Sequence, residues 1–284
     1  MGRVVLLTPE PSVYEDRWPE TYVEYAAVLS AAGLEVGHAP WTGPLPEADA
    51  YCPLLSWGYH LHYQRWRTFL DGMEASLVGE RLVNPVATCR WNSDKGYLLE
   101  LAERGAPVPP TVALEHATPQ AVELAIEGFG VEEVVVKPRV SGGAHQTVRV
   151  RRGESVEGGP EREALVQPFL PAVSGEGEWS LFRFGDRWSH AITKVAAEGD
   201  FRVQPQFGGR VRAGEPPHAA RRAAEAVLSA CPHPFSYGRV DLLADGNGGY
   251  VLMELELIEP FLFLEQAGDG GAVFAAAMKA AVEA

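Results

Sequence analysis

Three carboxylates interrupt an otherwise apolar hairpin pattern near the end of this 284-residue chain. Two apolar runs, 240–242 and 250–256, flank a glycine-rich turn, a pattern that predicts two strands joined by a tight connection. Glu254 and Glu256 are two residues apart and therefore point to one face of a strand, where Asp241 is expected to meet them. Carboxylates seldom gather on a buried face without a compensating cation, and Mg²⁺ prefers oxygen ligands. The alternative is an edge hairpin whose charges face water.

Composition and charge exclude several classes of protein. With 46% hydrophobic and 22% charged residues, the chain is expected to fold into two or three globular lobes. A net charge of −14 argues against binding to a nucleic-acid backbone. No apolar run approaches the roughly 20 residues of a membrane span. The start, broken at Pro9, is expected to be a strand rather than a signal peptide.

The three cysteines are scattered through the chain. Cys52, Cys89 and Cys231 form neither a disulfide framework nor a CxxC metal pattern. We therefore expect a cytoplasmic protein whose thiols are incidental.

The first part of the chain alternates strand and helix patterns, which predicts an α/β lobe with parallel pairing. Its expected strands are 3–7, 34–38 and 50–55, and its expected helices are 20–33 and 64–79. Another helix is expected to open within Trp91–Lys95 and to stop near Gly105.

The middle and last parts combine strands, hairpins and helices. Expected strands are 133–138, 146–151 and a segment from Ala164, with an exposed loop at 153–163. A hairpin is expected at 178–184 and 187–193, and helices are expected at 118–129, 218–230 and 271–284.

A lysine at the end of a valine run is followed closely by glycines. Lys137 and the loop Ser141-Gly142-Gly143 would bring an ammonium and free backbone N–H groups near one point, which suits a polyphosphate. The run Gln167-Pro168-Phe169-Leu170 could present backbone groups and an apolar slot to a base. Taken singly, each of these is also compatible with an exposed strand end or an ordinary turn.

The order of these motifs resembles that of ATP-grasp enzymes. Lys137-Pro138 with Gly142-Gly143, then Gln167-x-Phe169-Leu170-Pro171, then Asp241 with Glu254-x-Glu256 occur in the family's succession. The first two segments look like glutathione synthetase, and the wider arrangement looks like the subgroup that includes the D-cycloserine-forming cyclo-ligase. Further stretches that carry the resemblance are Asn84-Pro85, Trp91-Asn92-x-x-Lys95-x-Tyr97-Leu98, Ser189-His190-Ala191-x-x-Lys194, Asp200–Gly209 and Tyr237-x-Arg239-Val240-Asp241.

The resemblance implies a fold and a division into lobes. The fold class is α/β with α+β lobes, as an ATP-grasp fold preceded by a Rossmann-like pre-ATP-grasp lobe. The implied lobes are an N-terminal lobe at 1–85, a central lid lobe at 86–168 and a C-terminal lobe with the metal site at 169–284.

The resemblance also implies nucleotide contacts. Lys95 and Lys137 match the two lysines that hold ATP phosphates, and Ser141, Gly142 and Gly143 match the mobile loop above them. Gln167, Pro168, Phe169 and Leu170 match the hinge that contacts adenine. Glu178 matches the acidic ribose contact, with Glu176 as the alternative register.

Metal ligands and catalytic cations follow from the same resemblance. Asp241, Glu254 and Glu256 match ligands of two Mg²⁺ ions, with Mn²⁺ as an alternative, and Glu256 stands where the family often has Asn. Arg202 matches a contact to the γ-phosphate or an acyl phosphate, and Arg239 and Lys194 match the same region.

One stretch departs from the subgroup. Its usual Arg-x-x-Trp-Asp-Tyr reads Leu54-Leu55-Ser56-Trp57-Gly58-Tyr59 here, which keeps the aromatic pair and loses the charged partners. If this stretch touches substrate, the substrate differs. His60 and His62 beside it are ligand candidates or ordinary loop residues, and His145 is a phosphate contact or a solvent-facing histidine.

These observations predict an ATP-dependent carboxylate–amine ligase, intermolecular or cyclising, that acts on a small amino-acid-like molecule through an acyl phosphate. The alternatives are a ligase that modifies a peptide or protein terminus and a non-catalytic ATP-binding sensor. The resemblance makes a homodimer or homotetramer reasonable, with no nucleic-acid or membrane partner.

Overall fold

Three β-sheets organise the computed structural model, which describes residues 2–11, 17–197, 199–203 and 207–283. Within this part of the chain, the sheets have three, four and five strands. No helix of the described residues is long and apolar enough to cross a membrane.

The N-terminal sheet is parallel, as expected, with strand order β2-β1-β3. Its strands are β1 (Arg3–Thr8), β2 (Glu35–Pro40) and β3 (Ala50–Cys52). Its helices are α1 (Trp18–Ala31) and α2 (Tyr63–Glu74). The third strand is shorter than predicted because Pro53 begins a 3₁₀ turn at Pro53–Leu55. The predicted helix 64–79 is also shorter, since its end is a separate 3₁₀ turn at Leu77–Arg81.

Two short helices replace the single helix predicted from Trp91 to Gly105. They are α3 (Val86–Asn92) and α4 (Tyr97–Glu103). The segment between them is a turn in which Gly96 N donates to Asp94 Oδ1 at 2.8 Å. The segment 91–95, which was predicted to begin a helix, therefore contains the end of α3 and the turn that leads to α4. Lys95 lies in this turn.

The four-stranded sheet is antiparallel, with order β4-β7-β5-β6. Its strands are β4 (Val112–His116), β5 (Glu133–Pro138), β6 (Val148–Arg151) and β7 (Arg162–Pro168). Helix α5 (Pro119–Phe129) covers it, capped at its start by Thr118, whose Oγ1 accepts from Ala121 N at 3.2 Å. Strand β4 was not predicted from sequence, because only a short, mostly exposed run marks it.

The five-stranded sheet is antiparallel, with order β10-β9-β8-β11-β12. Its strands are β8 (Glu178–Phe184), β9 (Arg187–Val195), β10 (Arg210–Ala213), β11 (Tyr237–Ala244) and β12 (Tyr250–Glu256). Helices α6 (His218–Ala230) and α7 (Ala272–Glu283) complete this part. Strand β10 was also missing from the sequence prediction. It follows residues 204–206, part of the motif 200–209, which lie outside the described residues.

One apolar core joins the N-terminal sheet to the five-stranded sheet. Phe274 of α7 lies 6.0 Å from Tyr25 of α1 and 5.2 Å from Phe184 of β8, measured between ring centroids. Leu6 and Phe182 belong to the same buried cluster. The first lobe is thereby held against the hairpin that carries the carboxylates. The lobe boundaries at 85 and 168 stay a prediction.

Candidate functional site

Hairpin β11–β12 brings the three carboxylates together. Asp241 pairs with Glu254 and Arg239 pairs with Glu256 across the ladder, with a bulge immediately after Asp241. One oxygen from each of Asp241, Glu254 and Glu256 lies within 4.8 Å of the others. Asp241 is only 2% exposed, so the alternative of a hairpin with its charges in water does not describe this arrangement.

Three cations balance the carboxylates. Arg239 Nη2 lies 3.0 Å from Asp241 Oδ2 and also donates to Glu256 Oε1. Lys194 Nζ lies 2.6 Å from Glu178 Oε1 and 3.3 Å from Asp241 Oδ2. Lys95 Nζ lies 3.0 Å from Glu254 Oε1. The carboxylate at 256, where the family often has Asn, therefore has an arginine partner on the neighbouring strand.

Burial and these partners shift the acidic groups in opposite directions. Burial raises the pKa of Glu256, and Glu254 and Asp241 add to the rise although Arg239 opposes it. Burial also acts on Asp241, but Arg239 and Lys194 outweigh it and hold the pKa of Asp241 below its usual range. For Glu254, Lys95 and Lys137 outweigh burial and lower the pKa. Additional positive charge near the cluster would complete its ionisation.

The donor set fits a divalent hard cation. Carboxylate oxygens are the ligands that Mg²⁺ prefers. Glu254 Oε2 and Glu256 Oε2 accept no hydrogen bond from the described residues, and each is available as a ligand. Asp241 already accepts from Ser180 Oγ at 2.5 Å as well as from Arg239 and Lys194. Its use as a ligand requires one of these cations to shift.

The two predicted phosphate lysines come from different segments that one ion pair ties together. Arg139, just after β5, donates from Nε to Asp94 Oδ1 at 2.9 Å and from Nη2 to Asp94 Oδ2 at 2.8 Å. Beside this pair, Lys95 N donates to Arg139 O at 2.7 Å. Lys137 itself is buried, and burial lowers its pKa to about 8. Its Nζ donates to Met253 O at 3.2 Å, which places it next to Glu254.

Two cavities meet at this cluster. The larger has a volume of about 480 Å³ and the smaller about 120 Å³. Their common wall consists of Lys95, Ser141, Gly142, Gly143, Glu178 and Glu254. The glycine loop, one lysine and two carboxylates thus face both spaces.

The smaller cavity contains the predicted nucleotide contacts. Lys137, Gln167, Pro168, Phe169, Leu170 and Arg202 all line it. Gln167 Nε2 donates to Thr111 Oγ1 at 2.9 Å, while its buried Oε1 has no hydrogen-bond partner among the described residues. Arg202 forms a 2.7 Å ion pair with Asp200, so it is held apart from the carboxylate cluster that Arg239 and Lys194 join.

The larger cavity lies between the first lobe and the carboxylate hairpin. Its wall includes Arg17, Glu20 and Thr21 from the start of α1, Trp57–His60, and Glu259, Phe261 and Phe263 after β12. Sequence analysis did not single out the α1 residues or the segment after β12. The alternation of Glu254 and Glu256 does not extend to Glu259, which lies three residues beyond Glu256 in a bend at 257–259. The stretch 54–59, which departs from the subgroup's usual sequence, has two environments. Leu54 and Leu55 are core residues, while Trp57–Tyr59 line the cavity.

The remaining candidate residues, three histidines and two glutamates, differ in whether they line a cavity. His60 lines the larger cavity and its ring centroid lies 5.8 Å from that of His145, whereas His62 lines neither cavity. Glu176 lines neither cavity and accepts from Trp179 Nε1 at 2.7 Å, so Glu178 is the acidic residue at the cavity wall. No described group of metal-ligating residues includes either His60 or His62.

A curated relative resembles most of the chain. The cycloserine biosynthesis protein DcsG of Streptomyces lavendulae is 30% identical over 236 residues, which cover 76% of this chain and 78% of that protein. No family model matches the sequence.

Solved structures share the fold. The crystal structure of the D-cycloserine synthetase DcsG superimposes with a TM-score of 0.83 at 24% identity, covering 99% of this chain and all of that one. The D-alanine–D-alanine ligase from Bacillus anthracis gives a TM-score of 0.71 at 16% identity, covering 100% of this chain and 98% of that one. The expected fold class is confirmed.

Proposed function

Because the chain belongs to the ATP-grasp ligases, enzymes that form C–N bonds with ATP, we propose that it activates the carboxylate of a small amino-acid-like substrate as an acyl phosphate. The observation that carries the proposal is the common wall of the two cavities. A phosphate at this wall would lie between Lys95, the glycine loop and Glu254.

The chemistry requires two displacements. A substrate carboxylate oxygen attacks the γ-phosphorus, the bond to the bridging oxygen breaks, and ADP leaves. An amine nitrogen then attacks the acyl carbon, phosphate leaves, and the nitrogen loses a proton to form a neutral amide. In an intramolecular version, the amine and the carboxylate belong to one molecule.

This chain's residues align and neutralise the reactants. Lys95 and Lys137 contact the triphosphate, Arg202 faces it from the far side of the smaller cavity, and Arg239 and Lys194 hold the carboxylates in place. The hinge at 167–170 takes the base, and Glu178 takes the ribose. Loop 141–143 covers the acyl phosphate and keeps water from it.

The carboxylate cluster would hold the divalent ions. Asp241, Glu254 and Glu256 would bind two Mg²⁺ ions, or Mn²⁺ in their place, which offset the charge of the phosphates. The use of ATP with a divalent metal follows from the family, whereas the number of ions is part of this proposal.

The decisive experiment measures ADP release and trapping of the acyl phosphate. A panel of D- and L-amino acids, with ureido and aminooxy derivatives, is incubated with Mg²⁺ and ATP, with and without hydroxylamine. We expect substrate-dependent ADP release and hydroxamate formation. Glu254→Gln and Lys137→Ala should each abolish both signals, while Glu80→Gln, a matched change at an exposed residue, should leave them intact.

Normal turnover in both site variants would defeat the assignment. The volume of the larger cavity, about 480 Å³, favours a small molecule, and peptides in the same panel test a ligase acting on a chain terminus. A homodimer or homotetramer and a cytoplasmic location also stay predictions, and size-exclusion chromatography with light scattering tests the first.

A further inference from the structure

Glu259 is an acid of the larger cavity's wall that has no ion-pair partner among the described residues. Asp241, Glu254, Glu256 and Glu178 each have a cationic partner among the described residues. Glu259 lines the same cavity and has no hydrogen bond or ion pair with any described residue. Glu259 is half-buried at the cavity wall. A partly desolvated carboxylate without a donor is costly, so a ligand that supplies a positive charge would be favoured.

Two cations of the same cavity, Lys95 and Arg239, form ion pairs with other acids. Lys95 Nζ lies 3.0 Å from Glu254 Oε1 and donates to Ser141 O at 2.5 Å. Arg239 donates to Asp241, to Glu256 and to Phe261 O at 3.1 Å. Neither forms an ion pair with Glu259, and neither does Arg17, a further cation of the same cavity wall. Among the described residues Glu259 therefore has no ion-pair partner, and the positive charge of a ligand would supply one.

The backbone immediately before Glu259 is fixed by buried side chains. Leu257 N donates to Asn92 Oδ1 at 2.8 Å, and Leu257 O accepts from Asn84 Nδ2 at 2.7 Å. Ile258 O accepts from Tyr237 OH at 2.8 Å. The position of Glu259 is thus set before any ligand binds, as recognition of a small molecule requires.

Its surroundings suit an amino acid. Glu259 Oε1 would lie 3.9 Å from a Cβ placed on Gly142, next to the glycine loop at the wall shared by the two cavities. Trp57, Phe261 and Phe263 form an apolar part of the same cavity, with Trp57 and Phe261 6.3 Å apart between ring centroids. An ammonium group at Glu259 would place the rest of the substrate between this apolar wall and the loop.

We propose that Glu259 binds the ammonium group of an amino-acid substrate and so selects amino acids over uncharged analogues. The inference rests on the proposed function and names its specificity-determining residue.

The test compares each amino acid of the panel with the 2-hydroxy acid of the same side chain. ADP release is measured with Mg²⁺, ATP and hydroxylamine. The wild-type chain should prefer the amino acid by at least about tenfold in kcat/KM. Glu259→Gln should lower kcat/KM for the amino acid by about 10- to 100-fold, mainly through KM, and leave the hydroxy acid within about threefold.

Two further variants and a metal titration separate the explanations. Glu259→Asp, which keeps the charge, should recover part of the preference, and Glu80→Gln should behave as wild type. The inference is overturned if Glu259→Gln keeps the wild-type preference, or if the wild-type chain uses both acids equally. The inference is also overturned if Glu259→Gln changes the Mg²⁺ concentration needed for ADP release but keeps the preference for amino acids. That result would indicate that Glu259 is a metal ligand.

Calorimetry with Mg²⁺ and a non-hydrolysable ATP analogue gives an answer that does not depend on turnover. Binding of an amino acid to the wild-type chain but not to Glu259→Gln supports the inference, even if no member of the panel causes ADP release. The lack of ADP release would then count against the proposed function alone. If no amino acid of the panel binds, the inference fails while nucleotide binding can still be present.

Discussion

Asp94 and Arg139 form a bidentate ion pair that fixes the turn carrying Lys95 to the end of the strand carrying Lys137. The two bonds measure 2.9 and 2.8 Å, and Gly96 permits the close approach, since a Cβ there would lie 2.8 Å from Arg139 Nη2. The pair is therefore expected to set the spacing of the two lysines rather than to contact the nucleotide.

Replacing Arg139 should weaken nucleotide binding more than folding. The side chains of Arg139 and Asp94 are 38% and 31% exposed, so Arg139→Met should change the free energy of unfolding by less than about 1 kcal/mol. The KM for ATP should rise about three- to tenfold as Lys95 loses its fixed position. Arg90→Met, which removes a partly exposed arginine paired with Asp71 and Glu74, is the control and should leave KM unchanged. Equal KM values in the two variants would contradict this role.

The pairing of Arg239 with Glu256 predicts non-additive stability. The Arg239 side chain is 8% exposed, so Arg239→Met leaves Glu256 without its cationic partner and Asp241 with Lys194 alone, and should cost about 3 kcal/mol of unfolding free energy. Adding Glu256→Gln should recover about 1 kcal/mol or more, because one of those charges is then absent. Urea unfolding of the two single variants and the double variant, without Mg²⁺, measures the coupling. Strict additivity would show that the pair contributes nothing.

His60 predicts a pH dependence of stability. Burial, and then Lys95, lower the pKa of His60 to about 4. The unfolded chain therefore binds a proton at this histidine first, near pH 6.5, as the pH falls. Stability from the neutral ring is complete above that value and is lost between about pH 6.5 and 4.

His60→Gln should flatten that acid-side decline. The free energy of unfolding measured between pH 7.5 and 4.5 tests this, with His62→Gln as the comparison for loss of a histidine from the same turn. An unchanged slope in His60→Gln would disprove the pKa assignment.

The glycine at 142 predicts a steric limit on loop closure. A Cβ at Gly142 would lie 3.0 Å from both Cε1 and Nδ1 of His60. Gly142→Ala should lower kcat about three- to tenfold by holding the loop away from the first lobe. The double variant with His60→Ala should recover part of the loss.

Gly128→Ala is the matched control for that substitution. Its added Cβ meets nothing within 4 Å in helix α5, so it should leave kcat unchanged and raise stability by up to about 1 kcal/mol. Failure of His60→Ala to restore any activity to Gly142→Ala would point to a backbone effect of the loop itself.

Local pattern was sufficient for much of the fold and for the candidate residues. Strand alternation placed Glu254 and Glu256 on one face, and the valine run predicted β5 with Lys137 near its end. Such features depend on neighbours along the chain. Short elements with weak patterns, β4 and β10, were missed, and the helix predicted from Trp91 to Gly105 divided in two because a turn held by Asp94 and Arg139 interrupts it.

By itself, the sequence determined the class of fold, the family, and a set of acids and lysines whose roles stay predictions. Only the tertiary structure decided which charges are paired and which are not. The pairing of Arg239 with Glu256 depends on the register of hairpin β11–β12. The ion pair of Arg139 with Asp94, and the place of Glu259 in one cavity with Trp57, depend on how separate segments pack. The Arg139–Asp94 pair and the cavity join segments far apart in sequence, and spacing along the chain carries no information about distance across the packed lobes.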